Sequence, residues 1–156
     1  MKLEQKKKHT SSIAVLLAAY NGMAWIEGQV DSIFQQKEVD IDLYISVDIS
    51  SDGTYEWCKG LATRNTHVNI LPYGDHFGGA AKNFLCLIRD VDLNVYDYIA
   101  LADQDDIWLP NKLFHAVNTL QKNNIDAYSS DVIALWSDGR KILVKKSYPQ
   151  KKYDYF

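Results

Sequence analysis

Hydrophobic positions change rhythm repeatedly along this chain, and the changes spell alternating strands and helices. Ile13-Ala-Val-Leu-Leu-Ala18 is an unbroken apolar run, as expected of a strand covered on both faces. It stops at Tyr20-Asn21-Gly22, a turn signal. Ile26, Val30, Ile33 and Phe34 then recur at helical spacing and predict a helix over 24–36. Ile41 to Val47 forms a second strand, closing on Asp48-Ile-Ser-Ser-Asp-Gly-Thr54, and a short helix carrying Tyr55, Trp57, Cys58 and Leu61 follows. His67 to Leu71 is a third strand. The loop Pro72-Tyr-Gly-Asp-His-Phe-Gly-Gly79 leads into a helix with Ala81, Phe84, Leu85 and Ile88 on one face. Tyr96 to Ala102 is the fourth strand. Leu113, Ala116, Val117 and Leu120 mark a helix opening at Pro110, a natural first helical residue.

Ala127 to Trp136 and Lys141 to Val144 read as strands joined through Ser137-Asp-Gly-Arg140, a hairpin with Asp-Gly at its tip. The alternation implies an α/β fold with a mostly parallel sheet flanked by helices on both faces. Residues 1–11 read as a disordered tail and 12–144 as one α/β domain. Residues 145–156 have few apolar positions in any period yet close on Tyr153-Asp-Tyr-Phe156, and so read as the start of a further element.

Composition changes this picture little. The chain has 156 residues, 47% hydrophobic and 24% charged, ordinary globular material able to bury about 70% of its unfolded surface. A net charge of −3, without a basic aromatic-interleaved patch, gives no footprint for nucleic acid. Lys6, Lys7 and Lys8 read as a solvated tail, with contact to anionic lipid as the alternative. The apolar run after them sits at the lower limit of a secretory core and reads better as a first strand. No run approaches a membrane span. Cys58 and Cys86 lack zinc or redox spacing, so buried reduced thiols in the cytoplasm are expected.

The chemistry concentrates where the fourth strand ends. Ala102-Asp-Gln-Asp-Asp106 crowds three carboxylates behind an apolar run. Carboxylates so placed repel one another until a cation neutralises them. Mg²⁺ or Mn²⁺ takes one or two carboxylates and completes its shell with water and phosphate oxygens. Asp is also common in turns and at helix N-termini, so capping is the alternative, but three acids in four positions after a buried strand are more than capping requires and read as a metal-diphosphate site. Tyr20-Asn21 ends the first strand and Asp48 follows the second. In a parallel sheet these ends share an edge with the acids and can line one crevice. There a Tyr ring can stack on a base, and Asp48 can accept a hydrogen bond from it. Separately, Tyr20 as a core aromatic and Asp48 as a turn or cap residue are equally open, and Asp52-Gly53 reads as a plain turn; their shared location favours the joint functional reading. Gly78-Gly79 with Lys82 can receive a phosphate, but the segment matches neither a P-loop nor a dinucleotide fingerprint, and a flexible turn is the better reading. Asn83 reads as a structural hydrogen-bonding residue. None of the four His has metal spacing, and no serine elbow or Cys/His nucleophile pattern is present.

Four segments together resemble the family-2 inverting glycosyltransferases of GT-A fold, especially rhamnosyltransferase-like members of bacterial polysaccharide assembly. They are Ala18-Ala-Tyr-Asn-Gly22, Ser46-Val-Asp-Ile-Ser-Ser-Asp-Gly-Thr54, Gly79-Ala-Ala-Lys-Asn-Phe84 and Ala102-Asp-Gln-Asp-Asp-Ile-Trp-Leu-Pro-Asn-Lys-Leu113. The likeness covers residues 12–136. It implies Ala18, Tyr20, Asn21, Asp48, Lys82 and Asp103 at the nucleotide, with Tyr20 facing the base. It also implies Asp103 and Asp105 as a DxD metal pair for Mg²⁺ or Mn²⁺, Asp105 as the direct ligand, and Asp106 positioning the next turn. The family often has two consecutive acids where this chain has Val47-Asp48, and Gly at Ile49. The implied donor is a dTDP- or UDP-linked sugar and the acceptor a saccharide or lipid-linked saccharide. The implied place is the cytoplasm, at the inner membrane face for a full-length protein. The general base is expected beyond residue 156, so this chain is expected to bind without transferring. The alternatives are a non-catalytic nucleotide-sugar-binding module and a metal-dependent nucleotidyltransferase. The latter wants a Gly/Arg/Lys-rich phosphate loop, which Tyr20-Asn21-Gly22 is not.

Overall fold

β1 (Ser11–Ala19) is the strand on which the others are laid. Its apolar run lets it be buried from Ile13 to Ala19 on both faces. The computed structural model describes residues 10–145. The expected features of residues 1–9 and 146–156 lie outside them. The chain divides into two compact units, Met1–Val117 and Asn118–Phe156.

In the first unit β1 pairs in parallel with β2 (Val39–Val47) on one side and β4 (Tyr98–Asp103) on the other. β2 pairs in parallel with β3 (Val68–Ile70), giving the order β3-β2-β1-β4. The order turns back between β1 and β4, where open parallel sheets bind ligands at their carboxyl ends. Odd-numbered residues of β1 (Ile13, Val15, Leu17, Ala19) join Ile26, Val30 and Ile33 of α1 (Ile26–Phe34) and Cys58 of α2 (Thr54–Ala62). Trp108, Leu113 and Val117 complete that layer, the last two from α4 (Lys112–Asn123). Even-numbered residues (Ala14, Leu16, Ala18) meet Cys86 and Leu87 of α3 (Ala80–Asp90) on the opposite face. Helices therefore cover both faces of a parallel sheet, as the alternation implies.

Several boundaries move for physical reasons. β1 begins at Ser11, inside the stretch expected to be a disordered tail. Ser11 and Ser12 pair with Val39 and Asp40, and Asp97 accepts from both the Ser12 main-chain N–H and its hydroxyl. α1 starts at Ile26 rather than 24 because Trp25 and Ile26 both donate to the Gly22 carbonyl in a tight turn. α4 starts two residues after Pro110.

Of the face of α3 carrying Ala81, Phe84, Leu85 and Ile88, only Phe84 packs against the core. Leu85 is 64% exposed and Ile88 45%, while Asn83, Cys86 and Leu87 are buried. The buried stripe opens with a polar residue, which a hydrophobic period cannot reveal.

In the second unit β5 (Val132–Leu135) pairs antiparallel with β6 (Lys141–Val144). The strand expected from Ala127 starts five residues later. The hairpin stands as expected, with Gly139 at φ +83° and its N–H donating to the Trp136 carbonyl. Among the described residues no helix is long and apolar enough to cross a membrane.

Leu17 is fully buried at the centre of the sheet. Leu17→Ala is expected to lower the unfolding free energy by about 2–5 kcal/mol, read from the urea midpoint at unchanged slope.

Candidate functional site

Register places the site. Ala18 lies opposite Asp103 across the β1–β4 ladder, and Ala19 lies opposite Val47 across β1–β2. The residues that follow these pairs leave the sheet together. A cleft of about 520 Å³ opens there, lined by Ala18, Ala19, Tyr20, Asp48, His76, Gly78, Gly79, Ala80, Asn83, Asp103, Gln104 and Asp105. Of the residues singled out in the sequence, Ala18, Tyr20, Asp48, Asp103 and Asp105 meet in this one cleft. Asn21 and Lys82 are not among its lining residues.

Asn21 serves a different purpose. It sits at φ +44°, its N–H donates to Ser50 Oγ, and its Oδ1 accepts from the Ser51 N–H. Gly22 N–H donates to Thr54 Oγ1, and Met23 N–H to Asp52 Oδ2. Four hydrogen bonds thus button the loop after β1 to the loop after β2. Asp52 is more than a plain turn residue, because its Oδ1 also accepts from the Thr54 N–H and hydroxyl. Burial works to raise the Asp52 pKa, and the bonds from Thr54 and Met23 bring it below the usual carboxylate value.

Asp48 is 4% exposed and fixes the third wall. Its Oδ1 accepts from the main-chain N–H of Ile49 at 2.8 Å and of Phe77 at 3.1 Å. The same oxygen meets His76 Nδ1 at 3.2 Å, and Oδ2 accepts from Gly78 N–H at 3.0 Å. Burial pushes its pKa up, but the donors from Phe77, Ile49, Gly78 and His76 outweigh that and hold it low. Gly78 has φ +68°, a conformation that favours glycine, and so can bring its N–H to the carboxylate. Tyr73 braces the same loop, stacked on Tyr55 at 3.9 Å between ring centroids and accepting from Ser50 N–H.

Asn83 is buried against the strand ends. Its Nδ2 donates to the Ser46 carbonyl at 3.1 Å and the Ala19 carbonyl at 3.4 Å, the structural role its chemistry implies. α3 opens into the cleft at Gly79 with no side-chain cap and no acid in its first turn. Its first N–H groups are therefore a natural anion site.

Asp103 and Asp105 are exposed at the cleft wall. Beyond them the chain is pinned to α1. Trp108 is buried, its N–H donates to Ser32 Oγ, and Lys112 Nζ lies 4.2 Å from its ring centroid. Gln36 bridges the Leu109 carbonyl and the Leu113 N–H. Two carboxylates on an anchored turn, open to a cleft that ends at a helix N-terminus, fit a hard divalent ion sharing phosphate oxygens. Among the described residues there is no cluster of three or more His, Cys, Asp or Glu side chains able to hold a metal without such a ligand.

Sequence reasoning missed Gln104 and His76. Gln104 Oε1 accepts from Tyr20 N–H at 2.7 Å, and its Nε2 donates to the Tyr20 carbonyl at 2.8 Å. The one available signal was its position between the two acids.

A four-stranded parallel sheet in the order β3-β2-β1-β4 with helices on both faces, its cleft at the carboxyl edge, has the GT-A fold. Solved structures agree on the fold. A Pyrobaculum calidifontis mannosyltransferase in complex with GDP-Man and Mn²⁺ superposes with a TM-score of 0.61 at 20% identity, over 72% of this chain and 33% of that one. Staphylococcus aureus TarS 1–349 in complex with UDP-GlcNAc gives 0.59 at 15% identity, over 80% and 33%.

The sequence model of Glycosyl transferase family 2 matches residues 14–149, and the chain belongs to that family. The dTDP-rhamnosyl transferase RfbG of Shigella flexneri is 50% identical over 141 residues, 90% of this chain and 49% of that protein. The Escherichia coli UDP-Glc:alpha-D-GlcNAc-diphosphoundecaprenol beta-1,3-glucosyltransferase WfgD is 29% identical over 115 residues, 72% and 42%. The chain spans half or less of the length of these relatives.

The Asp48 bonds generate a testable consequence. A carboxylate whose folded pKa lies below its unfolded value of about 3.9 stabilises the fold at neutral pH and loses that contribution as pH falls through the folded value. Asp48→Asn is expected to cost about 1–3 kcal/mol at pH 7. The gap between variant and wild type in denaturant titrations should narrow below about pH 4.

Proposed function

We propose that this chain is the nucleotide-sugar-binding part of an inverting, metal-dependent glycosyltransferase of bacterial polysaccharide biosynthesis. The observation that carries the proposal is the meeting of Tyr20, Asp48, Asp103 and Asp105 in one cleft beneath the start of α3. Tyr20, 52% exposed at the cleft wall, offers its ring to the base. Asp48 receives one donor at Oδ2 and three contacts at Oδ1, so Oδ2 keeps capacity for a base N–H or a ribose hydroxyl. The α3 N-terminus faces the diphosphate. The relative at 50% identity is named for dTDP-rhamnose chemistry, which favours a dTDP-linked donor over a UDP-linked one.

The reaction is a single displacement. An acceptor hydroxyl, on a saccharide or a lipid-linked saccharide, attacks the anomeric carbon as the nucleoside diphosphate departs. Asp103 and Asp105 would hold the divalent ion, Asp105 directly and Asp103 toward the ribose and metal-bound waters. When bound, Mg²⁺ or Mn²⁺ offsets charge growing on the leaving diphosphate, worth about 4 kcal/mol for each unit-charge pair at 4 Å and an effective dielectric of 20. The proposal places the acceptor site and its general base in the length of the relatives that this chain does not span. It places the enzyme in the cytoplasm, at the inner membrane face.

Calorimetric titration with dTDP, UDP and GDP, each with Mn²⁺ or with chelator, tests this reading. Metal-dependent binding of a pyrimidine diphosphate is expected, with Asp105→Ala weakening it at least about tenfold. Equal affinity in chelator sinks the metal site, and equal affinity for all three nucleotides sinks the base contact.

A further inference from the structure

The residue between the two acids has the geometry of a structural coupler. The backbone ladder between β1 and β4 ends at Ala18 opposite Asp103. One residue further along β4 and two along β1, the Gln104 side-chain amide takes over. Its Oε1 accepts from the Tyr20 N–H at 2.7 Å and its Nε2 donates to the Tyr20 carbonyl at 2.8 Å. A strand neighbour would satisfy the same donor and acceptor with its main chain. The amide therefore adds one rung to the sheet after the backbones have separated.

A second observation points the same way. A Cβ at Gly22 would lie 2.9 Å from Gln104 Cδ and nearer still to Oε1. The turn after Tyr20 thus leaves open the space the amide occupies. Carboxamide length matters as well. Asn is one methylene shorter, and a Glu carboxylate accepts from the Tyr20 N–H but has no donor for its carbonyl.

We infer that Gln104 is a positioning residue that locks the Asp103/Asp105 turn to the main chain of Tyr20, so that the base-facing and metal-facing halves of the cleft recognise a nucleoside diphosphate jointly. The inference rests on the nucleotide-sugar reading above and deepens it. Neither side chain of the diacid reaches Tyr20 through a hydrogen bond seen in the structure, whereas Gln104 does so twice. Its effect should therefore appear in the linkage between metal and nucleotide, not in the stability of the fold alone.

The test measures dTDP affinity by calorimetry with chelator and with saturating Mn²⁺, and takes the ratio as the metal enhancement. For the wild-type chain an enhancement of about tenfold or more is expected. Gln104→Met keeps the length of the side chain and removes both bonds. It should lower the enhancement at least about fivefold while retaining a cooperative thermal transition. Gln104→Glu separates the two explanations for any effect. Added charge beside Asp103 and Asp105 would raise the enhancement if Gln104 acted only through the local field, whereas loss of the bond to the Tyr20 carbonyl lowers it. If Gln104→Met does not fold, Gly22→Ala, which displaces the amide from the other side, is read in its place. An enhancement within about twofold of wild type in the folded variant overturns the inference and leaves the site reading intact. A wild-type chain with no metal-dependent dTDP binding overturns the site reading and this inference with it.

Discussion

Everything in the candidate site depends on the register of three parallel strands. A parallel ladder fixes which residues leave the sheet side by side, and a slip of one position would turn every side chain to the opposite face. Here Ser11 pairs with Val39 and Ile13 with Tyr98, so the three carboxyl ends arrive at the same height. β1 cannot slip, because both of its faces are filled, the odd residues by α1 and α2 and the even residues by α3. The apolar run from Ile13 to Ala19 is thus the cause of the cleft as well as of the core.

The cleft wall joins side chains with opposite electrostatic histories. Asp48 is buried and meets donors from its own turn at Ile49 and from the loop that carries His76, Phe77 and Gly78, so its charge is matched before any ligand arrives. Asp103 and Asp105 face the opening. One carboxylate builds the wall, and the pair is left exposed at its rim. Ser32 and Gln36 hold the segment that follows, through Trp108, Leu109 and Leu113.

Much of this was legible in the chain, and the remainder was hidden for identifiable reasons. The strands were readable because burial on both faces demands continuous apolar residues, and the acids because they interrupt one abruptly. The packing face of α3 was not readable. Asn83 is buried there because strand carbonyls accept from it, and those carbonyls come from sequence-distant Ala19 and Ser46. Gln104 was hidden likewise, its partner lying 84 positions away. Asn21 showed its turn but not its grip on Ser50 and Ser51. Patterns of polarity report what is buried; they do not report which backbone a side chain will find.

The buttoned loops carry a consequence for how such a chain can diverge. Asn21, Gly22 and Met23 each bond to a residue between Ser50 and Thr54, so neither segment can drift in sequence alone without leaving donors unmatched in the other. The two behave as a single inherited cassette. A second loop grafted from a relative would keep these bonds only if the first travelled with it.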